Sequence, residues 1–150
     1  MRLNGVMKPI ILIALASVGL VALKAPEEVT LNLTLSNIEK IEGKLYVAVI
    51  AKKDADGFPE DRKAFYKHVV RDVTSSEQQV TFNLPVGTYA LAVLQDLNGN
   101  ARMDKNFLGI PQEPYGFSNN FTPTIAAPDF EDCSFQLSSK SNHYKIRLIH

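Results

Sequence analysis

Side-chain oxygens recur at alternate positions in Asp96-Leu97-Asn98-Gly99-Asn100-Ala101-Arg102-Met103-Asp104. Counted from Asp96 they fall at relative positions 1, 3, 5 and 9, and Arg102 at position 7 would contribute its backbone carbonyl. A tightly curled loop can turn alternate side chains inward, and calcium takes about six to eight hard oxygen ligands. Asn in place of Asp supplies carbonyl oxygens while limiting charge repulsion. The pattern begins as an EF-hand loop does and then departs from it: position 6 is Ala101 rather than Gly, and position 12 is Phe107 rather than a bidentate Glu. The missing acid must then come from elsewhere, and Glu113, Asp129, Glu131 and Asp132 are nearest in sequence. The expected calcium site is Asp96, Asn98, Asn100, Arg102, Asp104 and Glu113. A second reading of the same residues is a plain turn, because Asn-Gly favours tight turns and Asx side chains bond their own backbone. Asp54-Ala55-Asp56-Gly57 has only two carboxylates and reads as an ordinary loop.

Other chemistry is weaker. Ser118 lies in Gly116-Phe117-Ser118-Asn119-Asn120, which is not the nucleophile elbow of a hydrolase. His68 sits in a charged stretch, and His143 and His150 flank or end the last strand, so no triad is expected. Cys133 alternates with Phe135 and Leu137 and reads as a core thiol on their face. Glu113, Asp129 and Glu131 show no asymmetry that would set an acid against a base. The chain has no Trp for stacking on sugars. No catalytic residues are assigned.

The elements that must position the loop are strands. Val29 to Leu35 alternates apolar and polar residues, as a half-buried strand does. Lys44 to Ile50 is more continuously apolar, as expected inside a sheet. Val69 to Val73 is a short third candidate. Gln79 to Leu84 and Thr88 to Leu94 flank Pro85-Val86-Gly87 and are expected to form a hairpin. Cys133 to Leu137 and Tyr144 to Leu148 are expected to form a second, across Ser138 to Asn142. One helical turn fits Glu60 to Tyr66. Seven such segments without a long helical period predict an all-β, two-sheet sandwich. The connection from Gln95 to Asp132 is longer than structureless connections in compact domains usually are, so it is expected to carry function or to need its own source of order. Within it, Tyr115 and Phe117 either cap the open end of the sandwich or form a ligand rim with Asn119 and Asn120.

Ahead of the domain, Arg2 and Lys8 precede the apolar run Pro9 to Leu23, which is signal-peptide anatomy. The run is shorter than the ~20 residues a membrane span needs. Residues 1–25 are therefore expected to be a signal peptide and 26–150 one domain. An uncleaved tether is the alternative, since the bulky Leu20 or Leu23 would open the cleavage site. A periplasmic, secreted or cell-surface location follows, with no stable membrane span after cleavage. Arg2, Lys8 and Lys24 precede residue 26 and no acid does, which leaves 13 basic against 16 acidic residues and a charge of −3. With basic residues interspersed among acids, no nucleic-acid partner is expected. A single cysteine forms no internal disulfide, so stability must come from the core, with or without an ion.

Several unusual segments occur together: Leu84-Pro85-Val86-Gly87-Thr88-Tyr89-Ala90, the Asp96 to Asp104 loop, Gly109-Ile110-Pro111-Gln112-Glu113-Pro114-Tyr115-Gly116-Phe117-Ser118-Asn119, and Pro128-Asp129-Phe130. Over roughly residues 28 to 149 the chain resembles the exported bacterial family called domain of unknown function 2141. That resemblance implies a prealbumin-like or immunoglobulin-like sandwich and a shared loop, but no reaction. Gln95 stands where His is expected in many relatives. The turn before Tyr89 is also similar to that of carboxypeptidase regulatory-like modules, which are noncatalytic. The resulting expectation is a noncatalytic binding or structural module of the cell envelope, its loop ordered by calcium and its partner an unknown protein or envelope component. The competing expectation is a carboxylate-dependent hydrolase acting on an envelope or extracellular substrate.

Overall fold

The structure is a computed structural model that describes residues 26–150. The expected signal peptide lies outside the described residues. Eight strands form two sheets: β1 Glu28–Ser36, β2 Lys44–Ala51, β3 Phe65–Asp72, β4 Gln78–Pro85, β5 Gly87–Asp96, β6 Tyr115–Phe117, β7 Phe135–Leu137 and β8 His143–Arg147. The smaller sheet has the order β4-β1-β8, with β8 parallel to β1. In the larger sheet the order is β3-β2-β5-β6, and β7 pairs the other end of β5. The fold is the all-β two-sheet sandwich that the alternation predicts.

Alternation in β1 puts Leu31, Leu33 and Leu35 into the interior, against Leu45, Val47 and Val49 of β2 and Leu91 and Val93 of β5. The continuous apolar character of β2 and β5 has a different cause. Their outer face is covered as well, by a second cluster of Ala48, Ile50, Ala90, Phe117, Phe130 and Cys133, with Phe58 packed against it. Alanines at 48 and 90 leave room for Phe58 to meet Phe117 and Phe130, with ring centroids 5.9 and 6.0 Å apart. Strands β2 and β5 are thus covered on both faces, which explains sequences with little polar alternation.

Neither expected hairpin forms. Strand β4 pairs with β1, and β5 pairs with β2, so Pro85–Gly87 carries the chain from one sheet to the other. Tight two-residue hairpin turns need positive φ, and none of Pro85, Val86 and Gly87 has it. Likewise β7 joins β5 and β8 joins β1, although Ser138 and Ser141 make a local bridge. Each strand thereby takes up a vacant edge of a different sheet. Cys133 is buried as expected, but not beside Phe135 and Leu137. It closes the short helix α1, Phe130–Cys133, and packs in the outer cluster. Strand β3 begins at Phe65 rather than Val69, because an edge strand can carry Tyr66, Lys67 and His68 to solvent. The helical turn expected near Glu60 is the 3₁₀ turn Arg62–Ala64, where the Asp61 side chain accepts the Lys63 amide.

Gly43 shows how tightly the end of β5 is held. Its φ is +74°, and a Cβ there would lie 2.2 Å from the Asp96 carbonyl oxygen. Gly43→Ala should therefore lose at least about 2 kcal/mol in urea unfolding, combining left-handed strain with a backbone clash. Gly99 has φ +81° but nothing within 4 Å of its would-be Cβ. Gly99→Ala should lose only the conformational part, about 1 kcal/mol. Equal losses would contradict the close approach at Gly43.

Burial, reinforced by the Asp132 charge, pushes the Cys133 thiol up from 9.0 to about 12. The neutral thiol favours the folded state below about pH 9, and that contribution is lost as pH rises through about 12. Native protein at pH 8 should leave a thiol reagent unreacted until denaturant is added, and rapid labelling of the native state would contradict a sealed outer cluster.

Candidate functional site

Strand β5 delivers the site. At its end Gln95 points into the sandwich, where its Nε2 donates to the carbonyls of Lys40 (2.7 Å) and Glu42 (3.0 Å). Its Oε1 is buried without a partner. A position where relatives were expected to carry His thus serves here to tie down the β1–β2 connection. The next residue, Asp96, faces the other way and is only 1% exposed.

From Asp96 the chain curls by side-chain to main-chain bonds. Asp96 Oδ1 accepts the Gly99 amide (2.7 Å) and Oδ2 accepts that of Ala101 (2.9 Å). Asn98 Oδ1 accepts the amide of Asn100 (3.1 Å), and Asn100 Oδ1 accepts that of Arg102 (2.9 Å). Each alternate residue therefore bends the two that follow, with Gly99 and Ala101 in left-handed backbone. Ala101 adopts that conformation without being a glycine, at a cost of about 1–2 kcal/mol, and Asp96 holds it there.

Two further carboxylates close the loop. Glu113 Oε1 accepts the Leu97 amide (2.8 Å), and Oε2 accepts the Asp104 amide (3.2 Å). Asp104 in turn accepts from the amide nitrogens of Asn98 and Asn100, the latter at 3.0 and 2.9 Å. The structure thus brings Asp96, Asn98, Asn100, Arg102, Asp104 and Glu113 into one turn. Arg102 is exposed, with its amide on Asn100. Among the described residues, no group of three or more His, Cys, Asp and Glu is arranged to hold a metal ion. The donor set nevertheless suits a hard cation: carboxylate and amide oxygens, most of them holding a single main-chain amide. The NH2 groups of Asn98 and Asn100 lie against Asp104 as a cation's positive charge would, and would have to yield to it.

The other acids are elsewhere. Glu131 and Asp132 belong to α1 and Asp129 caps it, where Asp132 Oδ2 accepts the Asp129 amide (3.2 Å) and Glu131 lies 4.0 Å from Lys52. Asp54 is in the 3₁₀ turn Lys52–Gly57, 3.9 Å from Lys53. Ser118 Oγ is buried, donating to the Cys133 carbonyl (2.5 Å) and accepting the Leu91 amide (2.9 Å). His150 Nε2 is 2.7 Å from the Asn37 carbonyl, while His68 lies on β3 and His143 opens β8.

The Tyr115 to Asn120 segment pads the outer face of the large sheet rather than its open end. Phe117 fills the outer cluster with Tyr115 packed against it. Asn120, with φ +52°, accepts the Arg147 amide (2.8 Å) and donates to the Lys145 carbonyl (3.2 Å), capping the free edge of β8. An open groove of about 810 Å³ runs beside it, lined by Asn37, Asn120, Lys145, Arg147 and His150. That groove was not foreseen from the sequence, where its only signal is asparagines at positions needing left-handed backbone.

Among the described residues no helix is long and apolar enough to cross a membrane. Comparison with curated proteins and with solved structures found no match to either. The family model described as "Uncharacterized protein conserved in bacteria (DUF2141)" matches residues 33–145, which span the loop and all but the ends of the sandwich, and the chain belongs to that family.

Proposed function

We propose that the domain is an exported, noncatalytic binding or structural module of the cell envelope whose Asp96 to Asp104 loop is ordered by calcium. The observation that carries this reading is the buried Asp96 carboxylate at the root of a loop that Asn98, Asn100, Asp104 and Glu113 hold by hydrogen bonds. Among the described residues, no Lys or Arg side chain pairs with Asp96, Asp104 or Glu113. Of the nearby cations, Arg62 engages the Ala101 carbonyl, Lys105 engages Glu60, and the Arg102 side chain is exposed. Three carboxylates in one turn, none of them paired with a cationic side chain among the described residues, suit an ion that brings its own charge. Against the hydrolase reading, Asp96 and Glu113 are buried and hold main-chain amides, and Asp129 and Asp132 fold onto α1.

Extracellular calcium modules bind at about 0.1 to 1 mM, so about 2 mM calcium should stabilise the fold by roughly 0.6 to 1.8 kcal/mol. For a domain of this size that is a melting-temperature rise of roughly 2 to 9 °C over chelator. Asp96→Ala and Asp104→Ala should abolish the difference, Asp54→Ala should keep it, and magnesium should do less. An unchanged melting temperature in metal-free protein titrated with calcium would leave the loop a plain turn. Export is checked separately by intact mass from the native host, which should show loss of roughly the first 22 to 25 residues. A soluble cytoplasmic form that keeps Met1 through Lys24 would contradict it.

A further inference from the structure

Beyond the loop, residues 104–112 form a narrow two-stranded finger. The Gln112 amide donates to the Asp104 carbonyl (2.8 Å), Lys105 bridges Pro111, and the Asn106 amide donates to the Ile110 carbonyl (2.9 Å). Its tip is a closed turn in which the Gly109 amide donates to the Asn106 carbonyl (2.9 Å), with Gly109 at φ +79°. Asn106 Oδ1 adds two more bonds, from the amides of Leu108 (2.9 Å) and Ile110 (3.0 Å). The corners of that turn are Phe107 and Leu108, where turns normally place Gly, Pro, Asn, Asp or Ser. Phe107 is 94% exposed, Leu108 68% and Ile110 53%. A hydrogen-bonded turn has therefore been built to hold three large apolar side chains in solvent, and isolated packing accidents do not do that.

We infer that this fingertip is a membrane-insertion site: Phe107, Leu108 and Ile110 dip into the surface of a lipid bilayer. Shape selects the occupant. The tip is convex and narrow, so a flat protein surface could bury little of it, whereas acyl chains part around a protruding wedge. Charge agrees with shape. Arg102 and Lys105 are exposed at the base of the finger, where they can meet anionic headgroups, and the one acid between them, Asp104, is turned back onto Asn98 and Asn100. Lys105 exchanges its bond to Glu60 for such a contact. The inference deepens the envelope reading and rests on it for where a bilayer would be met.

The test uses the absence of tryptophan from the chain. Phe107→Trp places one indole at the fingertip, and Val86→Trp places one at the opposite end of β5, at an exposed site whose main-chain partner is Glu27, which follows the N-terminal apolar run in sequence. Each full-length variant is titrated with vesicles of phosphatidylethanolamine and phosphatidylglycerol. The expected result is a blue shift and quenching by brominated acyl chains for Phe107→Trp alone. Adding Leu108→Ser and Ile110→Ser should weaken that binding about tenfold or more, because each apolar side chain left in water forfeits its burial. A shift at Val86→Trp alone, or equally at both sites, would mean that the N-terminal run or nonspecific adsorption makes the contact, and would overturn the fingertip. An unshifted Phe107→Trp at saturating lipid would overturn it too. So would a shift that grows with protein concentration without vesicles, which would assign the tip to a second copy of the chain. The fingertip is read from indole signals of the full-length chain, and the envelope reading from calcium-dependent melting and the mature N-terminus of native protein, so failure of one and failure of the other are told apart.

Discussion

One buried carboxylate decides how the sandwich ends. Asp96 closes β5, its carbonyl lies against Gly43 just before β2, and its two side-chain oxygens hold Gly99 and Ala101 in left-handed backbone. Without those bonds nothing near the start of the loop is apolar enough to order it. Glu113 then joins the loop's outgoing and returning limbs through the amides of Leu97 and Asp104. The apolar fingertip is held out from this polar root, so its presentation depends on a turn that is itself held by acids. That dependence links the two proposals physically: a cation at Asp96 and Asp104 would stiffen the base from which Phe107 and Leu108 project.

The rest of the molecule is arranged so that β5 can bear that loop. Strands β2 and β5 are covered on both faces, by the main core on one side and by Phe58, Phe117, Phe130 and Cys133 on the other. Two-sided burial fixes the direction of β5 more firmly than a solvent-facing sheet would, since displacement on either side breaks packing. The two sheets also join along one side, where Ile149 and Tyr115 exchange main-chain bonds of 2.7 and 3.1 Å. Together with the Asn120 cap on β8, this covers much of an edge that would otherwise invite another strand.

What could be read beforehand follows the range of the interactions involved. Strand positions and the two-sheet class were legible because period-2 alternation in β1 and β4, and apolar runs in β2 and β5, are local signals of burial. That Asp96, Asn98, Asn100 and Asp104 would share one turn was legible for a similar reason, since alternate positions of one short segment meet by local curling alone. Glu113 was reachable as the nearest downstream acid. Pairing was not legible, because whether β4 meets β1 or β5 depends on which sheet edge is vacant, and Pro85-Val86-Gly87 resembles a turn whichever way it leads. Strand β6 has only three residues, too few for a period to appear, and Cys133 keeps step with Phe135 and Leu137 only by coincidence of spacing across the end of α1. The fingertip escaped because its apolar residues sit in a loop, where neither period applies.

Whether the Asp96 loop holds a cation is tested most directly by equilibrium dialysis of chelator-stripped protein against about 10 mM calcium, well above the expected affinity of about 0.1 to 1 mM. About one calcium per chain should be bound, as for a single closed oxygen site, and it should be lost in Asp96→Ala protein that remains folded by circular dichroism. Wild-type protein that binds none, or calcium bound equally well by Asp96→Ala, would contradict a cation-ordered loop.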